Sequence, residues 1–381
     1  MAKVIHVTAV TGNYPDGQKI DKAVVEFDRP ADASAANCLS VKDRTITRTE
    51  MKGNFAILYL DPADEMAGLL AFPEPPPTKP GEKHLPPIYW PPVLRRDVQV
   101  TVIQSDGAAF VSDKVEEPIV EDFVQGEYAG IKYNLYSPKN MEPGRTYPLV
   151  MFIHDAGPCG PDHKITLSQG NGAIGFADPS WQDEHPCFVL APQIDRGIYL
   201  TNDEFVCSEE IEAIKTMLDH VVESNPVDKK RIYTTGQSMG CMSSCELNIR
   251  YPDLFAASLL VAGQWSPEKM AACCPNGNFW ILVSEGDFKA FPGMTAVTDA
   301  MEKAGSVVAR YRWDGNICAD SLTKLAQNAI MDKANVRFTV FNGSTVVPAG
   351  VEPSPVNNHM GTWPVVYSIR GLKEWLFSYS K

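Results

Sequence analysis

Ser238 stands between glycines in Gly236-Gln237-Ser238-Met239-Gly240. A serine hydroxyl is a weak nucleophile at neutral pH and needs a base to take its proton. The run before it, Ile232-Tyr233-Thr234-Thr235, is β-branched or aromatic and suits a short buried strand. Helical spacing follows. Strand, Gly-x-Ser-x-Gly and helix together form the pattern of a nucleophile elbow. The glycines give room for a sharp turn that lifts the hydroxyl clear of the backbone. Cys241, Ser243 and Ser244 are small, as the same crowding demands.

A nucleophilic serine needs an acid and a histidine downstream in the order serine, acid, histidine. The apolar run Phe279 to Val283 leads into Ser284-Glu285-Gly286-Asp287. A carboxylate there lies just past the end of a buried strand, where catalytic groups collect in open α/β sheets. Asp287 is the expected acid and Glu285 the second choice. Of the 7 histidines, only His359 follows Asp287. Imidazole exchanges protons near neutral pH, so His359 is the expected base. Asp287 would hold its tautomer and stabilise the imidazolium. The oxyanion requires fixed N–H donors. Met239, after the nucleophile, is one candidate; Ala156, in His154-Asp155-Ala156-Gly157, is the other. Gln237, Trp181, Trp265 and Trp363 are candidates to line an acyl or alcohol site, with core packing the alternative for each Trp.

Those residues require a scaffold. From residue 118 to 381 short apolar strands alternate with helices: Pro148 to Ile153, Cys187 to Pro192, Ser258 to Gly263, Phe279 to Val283, Val308 to Trp313 and Val336 to Phe341. Helices are expected at Ser208 to Ser224, after Ser238, and at Val365 to Ser378. Glu127 to Ser137 reads as one long strand, and Asn342 to Asn358 as an irregular loop. This is the pattern of an α/β domain with a mostly parallel sheet covered on both faces. Residues 1–117 read as all-β, with strands at Val4 to Val10, Ala23 to Phe27, Asn54 to Leu60 and Asp97 to Ile103. A small immunoglobulin-like sandwich is expected there. Pro73 to Pro92 holds nine prolines and reads as a stiff loop or, alternatively, a packing arm.

Composition limits the partners. The 381 residues carry a net charge of -13, which disfavours nucleic acid. No apolar stretch reaches the ~18 residues of a membrane span. The start, Met-Ala-Lys-Val-Ile-His-Val, lacks the apolar core of a secretion signal, so a cytoplasmic location is expected unless a leader has been removed. The 9 cysteines are scattered, which suits a reducing compartment. No cofactor and no metal site are expected; a small-molecule ester is the expected partner. Self-association through the β region is a further possibility.

The stretches P-L-V-M-F-I-H-D-A-G, H-P-C-F-V-L-A-P-Q, R-I-Y-T-T-G-Q-S-M-G-C-M, R-Y-P-D-L-F-A-A and N-H-M-G-T-W resemble the α/β-hydrolase esterases related to polyhydroxybutyrate depolymerases and the "predicted peptidase" group. Some members carry an N-terminal immunoglobulin-like domain. The resemblance covers residues 120–381 and implies a carboxylic-ester hydrolase with Ser238, Asp287 and His359 as its triad. One position departs: the usual H-G-A-G has Asp155 in place of its first Gly. A carboxylate facing the oxyanion would oppose its formation, so Asp155 is expected to point away. Short acyl, aryl and hydroxycinnamoyl esters all remain open as substrates. A serine peptidase with the same triad is the second reading. A non-catalytic carbohydrate- or partner-binding protein on this scaffold is the third.

Overall fold

The computed structural model describes residues 2–77, 90–195, 197 and 199–381. Alternating buried and exposed residues build the first part. Its strands are β1 (Val4–Tyr14), β2 (Gly17–Phe27), β3 (Leu39–Val41), β4 (Ile46–Lys52), β5 (Phe55–Leu60), β6 (Leu70–Ala71), β7 (Leu94–Arg95), β8 (Thr101–Gln104), β9 (Ala109–Val111) and β10 (Lys114–Glu116). They form one sheet in the order β10-β1-β2-β5-β4 and a second in the order β3-β8-β9. In β5 every second residue, Ala56, Leu58 and Leu60, points inward. These side chains meet Val41 and Val102 of the other sheet in a shared core. β6 and β7 make a separate antiparallel ribbon. Residues 78–89 of the proline-rich stretch lie outside the described residues.

The second part is a nine-stranded sheet in the order β11-β12-β14-β13-β15-β16-β17-β19-β18. Its strands are β11 (Val124–Tyr128), β12 (Ile131–Tyr136), β13 (Tyr147–Ile153), β14 (Phe188–Gln193), β15 (Val227–Gln237), β16 (Ala257–Val261), β17 (Phe279–Ser284), β18 (Val308–Trp313) and β19 (Val336–Phe341). β11 and β12 pair antiparallel, as do β12 and β14; the remaining neighbours are parallel. The continuous apolar runs have a simple cause. In β13, Leu149, Met151 and Ile153 enter one core, while Val150 and Phe152 enter the core on the opposite face. β17 divides likewise, with Trp280 and Leu282 on one side and Phe279, Ile281 and Val283 on the other. Each face is covered by helices, so neither phase of the alternation can be polar.

Two sequence expectations change. Glu127 to Ser137 is a hairpin instead of one strand: Ala129 (φ 53°) and Gly130 (φ 78°) turn the chain between β11 and β12. The left-handed pair fits a tight two-residue turn, but an alanine in that conformation gives no sequence signal. The end of the supposed loop 342–358 is already helical. A helix runs Pro355–Tyr367, with Ser354 Oγ accepting from Asn357 N–H at 3.1 Å and Pro355 in the first turn. That is a strong helix start. A separate helix, Arg370–Phe377, follows.

The two parts meet across a polar seam. Glu117 accepts from Arg95, from Lys164 Nζ at 2.7 Å and from Gln18 Nε2 at 3.2 Å. Ser168 Oγ donates to Gln18 Oε1 at 2.8 Å. Burial pushes the Glu117 carboxyl up, but Lys164 and Arg95 outweigh it and hold it below the usual carboxylate value.

Candidate active site

The parallel strands end on one edge, and the site lies there. β15 delivers the chain to Ser238, which adopts φ 51° and ψ -117° at the start of the helix Met239–Arg250. A non-glycine residue in that region is strained and must be held by its surroundings. A Cβ on Gly240 would lie 1.8 Å from the Ile153 carbonyl oxygen; one on Gly236 would lie 2.5 Å from the Gly240 carbonyl carbon. Only glycines let the turn pass that close to β13.

His359 Nε2 lies 2.9 Å from Ser238 Oγ, and His359 Nδ1 lies 2.5 Å from Asp287 Oδ2. With Nδ1–H donating to the carboxylate, Nε2 is left to accept the serine proton. Asp287 lies past β17 at 3% exposure. Its Oδ1 accepts from the N–H groups of Lys289 at 3.1 Å and Ala290 at 3.0 Å. Burial pushes the Asp287 carboxyl up, but the hydrogen bond and charge of His359 and those N–H groups outweigh it. The net direction is down, so it stays an anion. Glu285, the second choice, is turned away: it pairs with Arg312 Nη1 at 2.7 Å and accepts from Gly343 N–H at 2.8 Å.

Buried Asn358 sets the histidine helix against β17. Its Oδ1 accepts from Ser284 Oγ at 2.8 Å, and its Nδ2 donates to Ser344 Oγ at 3.0 Å and Ser354 O at 2.9 Å. Nothing in the sequence marks an Asn beside a His as a spacer, so the sequence carries no signal for it.

Met239 opens the helix after the nucleophile, where N–H groups have no intrahelical acceptor. Ala156 lies in the loop after β13. Asp155 is 6% exposed, and both of its oxygens are engaged. Oδ1 accepts from Gly157 N–H at 2.8 Å and Oδ2 from Gln237 Nε2 at 2.9 Å. Gln237 Nε2 also reaches Gln169 Oε1 at 3.0 Å. Gln237, expected to bind substrate, is thus a buried tie between the elbow and the loop after β13.

Two more polar residues fix that loop. His154 is fully buried; its Nδ1 meets Asp155 O at 2.6 Å and its Nε2 accepts from Ile194 N–H at 3.0 Å. Gln193 Oε1 accepts from Thr166 N–H at 2.7 Å. Its Nε2 donates to Pro158 O at 3.0 Å and Gly160 O at 3.2 Å. A polar residue ending an otherwise apolar strand was the available signal for both.

The tryptophan expectations need correction. Trp181 and Trp265 are both 0% exposed. Trp181 packs on Phe377 with ring centroids 5.1 Å apart, under Lys373 Nζ at 4.7 Å. Trp265 lies in the core beneath the nucleophile helix and donates to Glu246 Oε2 at 3.1 Å. Side chains enclosed on all sides cannot line an open pocket. Trp363 is half-buried and meets His359 edge-on, centroids 5.4 Å apart, which braces the imidazole. Among the described residues no metal-binding cluster is found, and no helix is long and apolar enough to cross a membrane.

The sheet order, the elbow and the strand-end constellation define an α/β-hydrolase fold. A thermostable esterase structure superposes with a TM-score of 0.79 at 23% identity, covering 99% of this chain and 100% of that one. In sequence, poly(3-hydroxyalkanoate) depolymerase C of Paucimonas lemoignei is 27% identical over 128 residues, 30% of this chain. That stretch is 28% of the depolymerase, so the chain spans little more than a quarter of that relative. No protein-family model matches the chain.

Proposed function

We propose that the protein is a serine carboxylic-ester hydrolase. The observation carrying this reading is the chain of contacts from Ser238 Oγ through His359 to Asp287, 2.9 Å and 2.5 Å, on a strained elbow. Ser238 Oγ attacks the ester carbonyl as His359 Nε2 takes its proton. Backbone N–H groups of Met239 and Ala156 hold the oxyanion. The C–O bond then breaks, His359 returns the proton to the departing alkoxide, and an acyl-Ser238 ester remains. Water, deprotonated by His359, releases the acid and restores the serine. Asp287 keeps the imidazole oriented throughout. A thermostable esterase and a poly(3-hydroxyalkanoate) depolymerase among the similar proteins support the ester-hydrolase reading.

Wild type should hydrolyse p-nitrophenyl acetate and butyrate, and Ser238→Ala should lose about 10⁴-fold or more in kcat. Undiminished hydrolysis in the variant would remove Ser238 from the chemistry. Faster turnover of aminoacyl p-nitroanilides than of the esters would move the reading to an amidase.

A further inference from the structure

The ribbon of the N-terminal part does not stop at the polar seam. β6 and β7 pair through Leu70–Arg95 and Ala71–Leu94, and both legs then run on to the oxyanion loop. On the β7 side, Val93 N–H donates to Cys159 O at 3.2 Å, and a Cβ on Gly160 would lie 2.5 Å from Val93 O. That contact is too close for any side chain, so the leg is seated against the loop. On the β6 side, Phe72 follows directly. A Cβ on Gly157 would lie 3.8 Å from Phe72 Cε1, ordinary van der Waals distance. The phenyl ring thus rests beside the residue next to Ala156, yet it is 60% exposed.

A single exposed phenylalanine is unremarkable in itself. Its company is informative. Phe288, next to Asp287, is 73% exposed, and Met360, next to His359, is 49% exposed. A large apolar side chain open to solvent thus lies beside Asp287, beside His359 and beside the loop that carries Ala156. The one beside the oxyanion loop comes from the other part of the chain, held there by main-chain contacts.

We propose that Phe72 is a specificity-determining residue: its ring contacts the apolar portion of an ester held at Ser238. This rests on the ester-hydrolase reading. An exposed aromatic beside the loop that carries Ala156 would favour substrates long enough to cover it and be indifferent to those too short to reach it. The N-terminal part thereby supplies a wall of the substrate site.

The test uses the full-length chain with Phe72→Ala and Phe72→Leu. One substrate series lengthens the acyl group, from p-nitrophenyl acetate to p-nitrophenyl hexanoate. The other enlarges the alcohol, from ethyl acetate to benzyl acetate. In one series Phe72→Ala should cut the large-to-small ratio of kcat/KM by about five- to tenfold, the scale of a lost apolar contact in a pocket. Phe72→Leu should restore part of it, and the series that responds identifies which half of the ester lies on the ring. An unchanged melting temperature excludes misfolding, and Phe72→Leu serves alone if the alanine variant is unstable. Ratios within about twofold of wild type in both series overturn the proposal. Retained hydrolysis in Ser238→Ala is a separate result, and it overturns the reading underneath.

Discussion

The elbow and the loop after β13 are joined through Gln237 and Asp155, and they are held by different means. The turn of the elbow at Ser238 is set by its main chain, with the Gln237 side chain as its tie to the neighbouring loop. Ser238 N–H donates to Val261 O at 3.0 Å, Met242 N–H to Ser238 O at 3.0 Å, and no side chain caps the helix. Its geometry depends on what is absent, the Cβ atoms of Gly236 and Gly240. The loop from His154 to Gly160 has main-chain bonds near its far end, Val93 N–H to Cys159 O and Gly160 N–H to Ile194 O. Around Asp155 it is tied by side chains: Asp155 on Gly157 and Gln237, His154 on Ile194, Gln193 on two loop carbonyls. A backbone turn wedged against a strand has one conformation or none. A loop tied by separate hydrogen bonds loses them one at a time. The elbow should therefore fail abruptly and the loop by degrees.

Gly240→Ala should have the largest effect. Its methyl group would fall 1.8 Å from Ile153 O, with backbone on both sides and no side chain to yield. The expected result is a loss of more than about 4 kcal/mol in urea unfolding, or no soluble protein. An active, stable Gly240→Ala would show that the elbow is softer than its geometry implies. Asp155→Ala comes next. It removes one partner from Gly157 N–H and one from Gln237, which keeps Gln169, without opening the core. So kcat should fall about 10²-fold with little change in KM, the scale of one misplaced oxyanion donor. Asp155→Asn keeps an oxygen for Gly157, and a flipped Gln237 amide can accept from the new NH₂. Its activity should stay within about tenfold of wild type. Equal loss in both variants would mean that the charge, and not the ties, is what matters. Gln193→Ala should be mildest in activity. Pro158 O, Gly160 O and Thr166 N–H each lose a partner, which predicts a stability loss of about 2 kcal/mol by urea titration. The remaining folded fraction should keep kcat within about tenfold. A larger drop in kcat would place Gln193 closer to the chemistry than its contacts do.

The same contrast separates what was legible from what was not. The elbow could be read from Gly236, Ser238 and Gly240, because steric exclusion leaves a residue-type signature at fixed spacing. The positions of Asp287 and His359 followed from strand ends and chain order. β19 fell where its apolar, β-branched run put it, since burial on both faces leaves little choice of composition. The hairpin at Ala129 was invisible, because its turn takes a residue that does not advertise a positive φ. The helix at Pro355 was hidden by the irregular, proline-bearing stretch before it, although Ser354-Pro355 was a usable start signal.

The amino-acid sequence thus determined the α/β scaffold, the elbow and the order of serine, acid and histidine, because local sterics and burial act on near neighbours in the chain. Tertiary structure alone decided the rest. It closed the 2.5 Å and 2.9 Å contacts between residues 72 and 121 positions apart. It sent Trp181 and Trp265 into the core, turned Asp155 toward Gln237 and brought Phe72 beside Gly157. An aromatic side chain packs equally well in a core or beside a substrate, and a carboxylate accepts from whichever donors the fold presents. Such choices depend on partners distant in sequence, which only the assembled fold brings within reach.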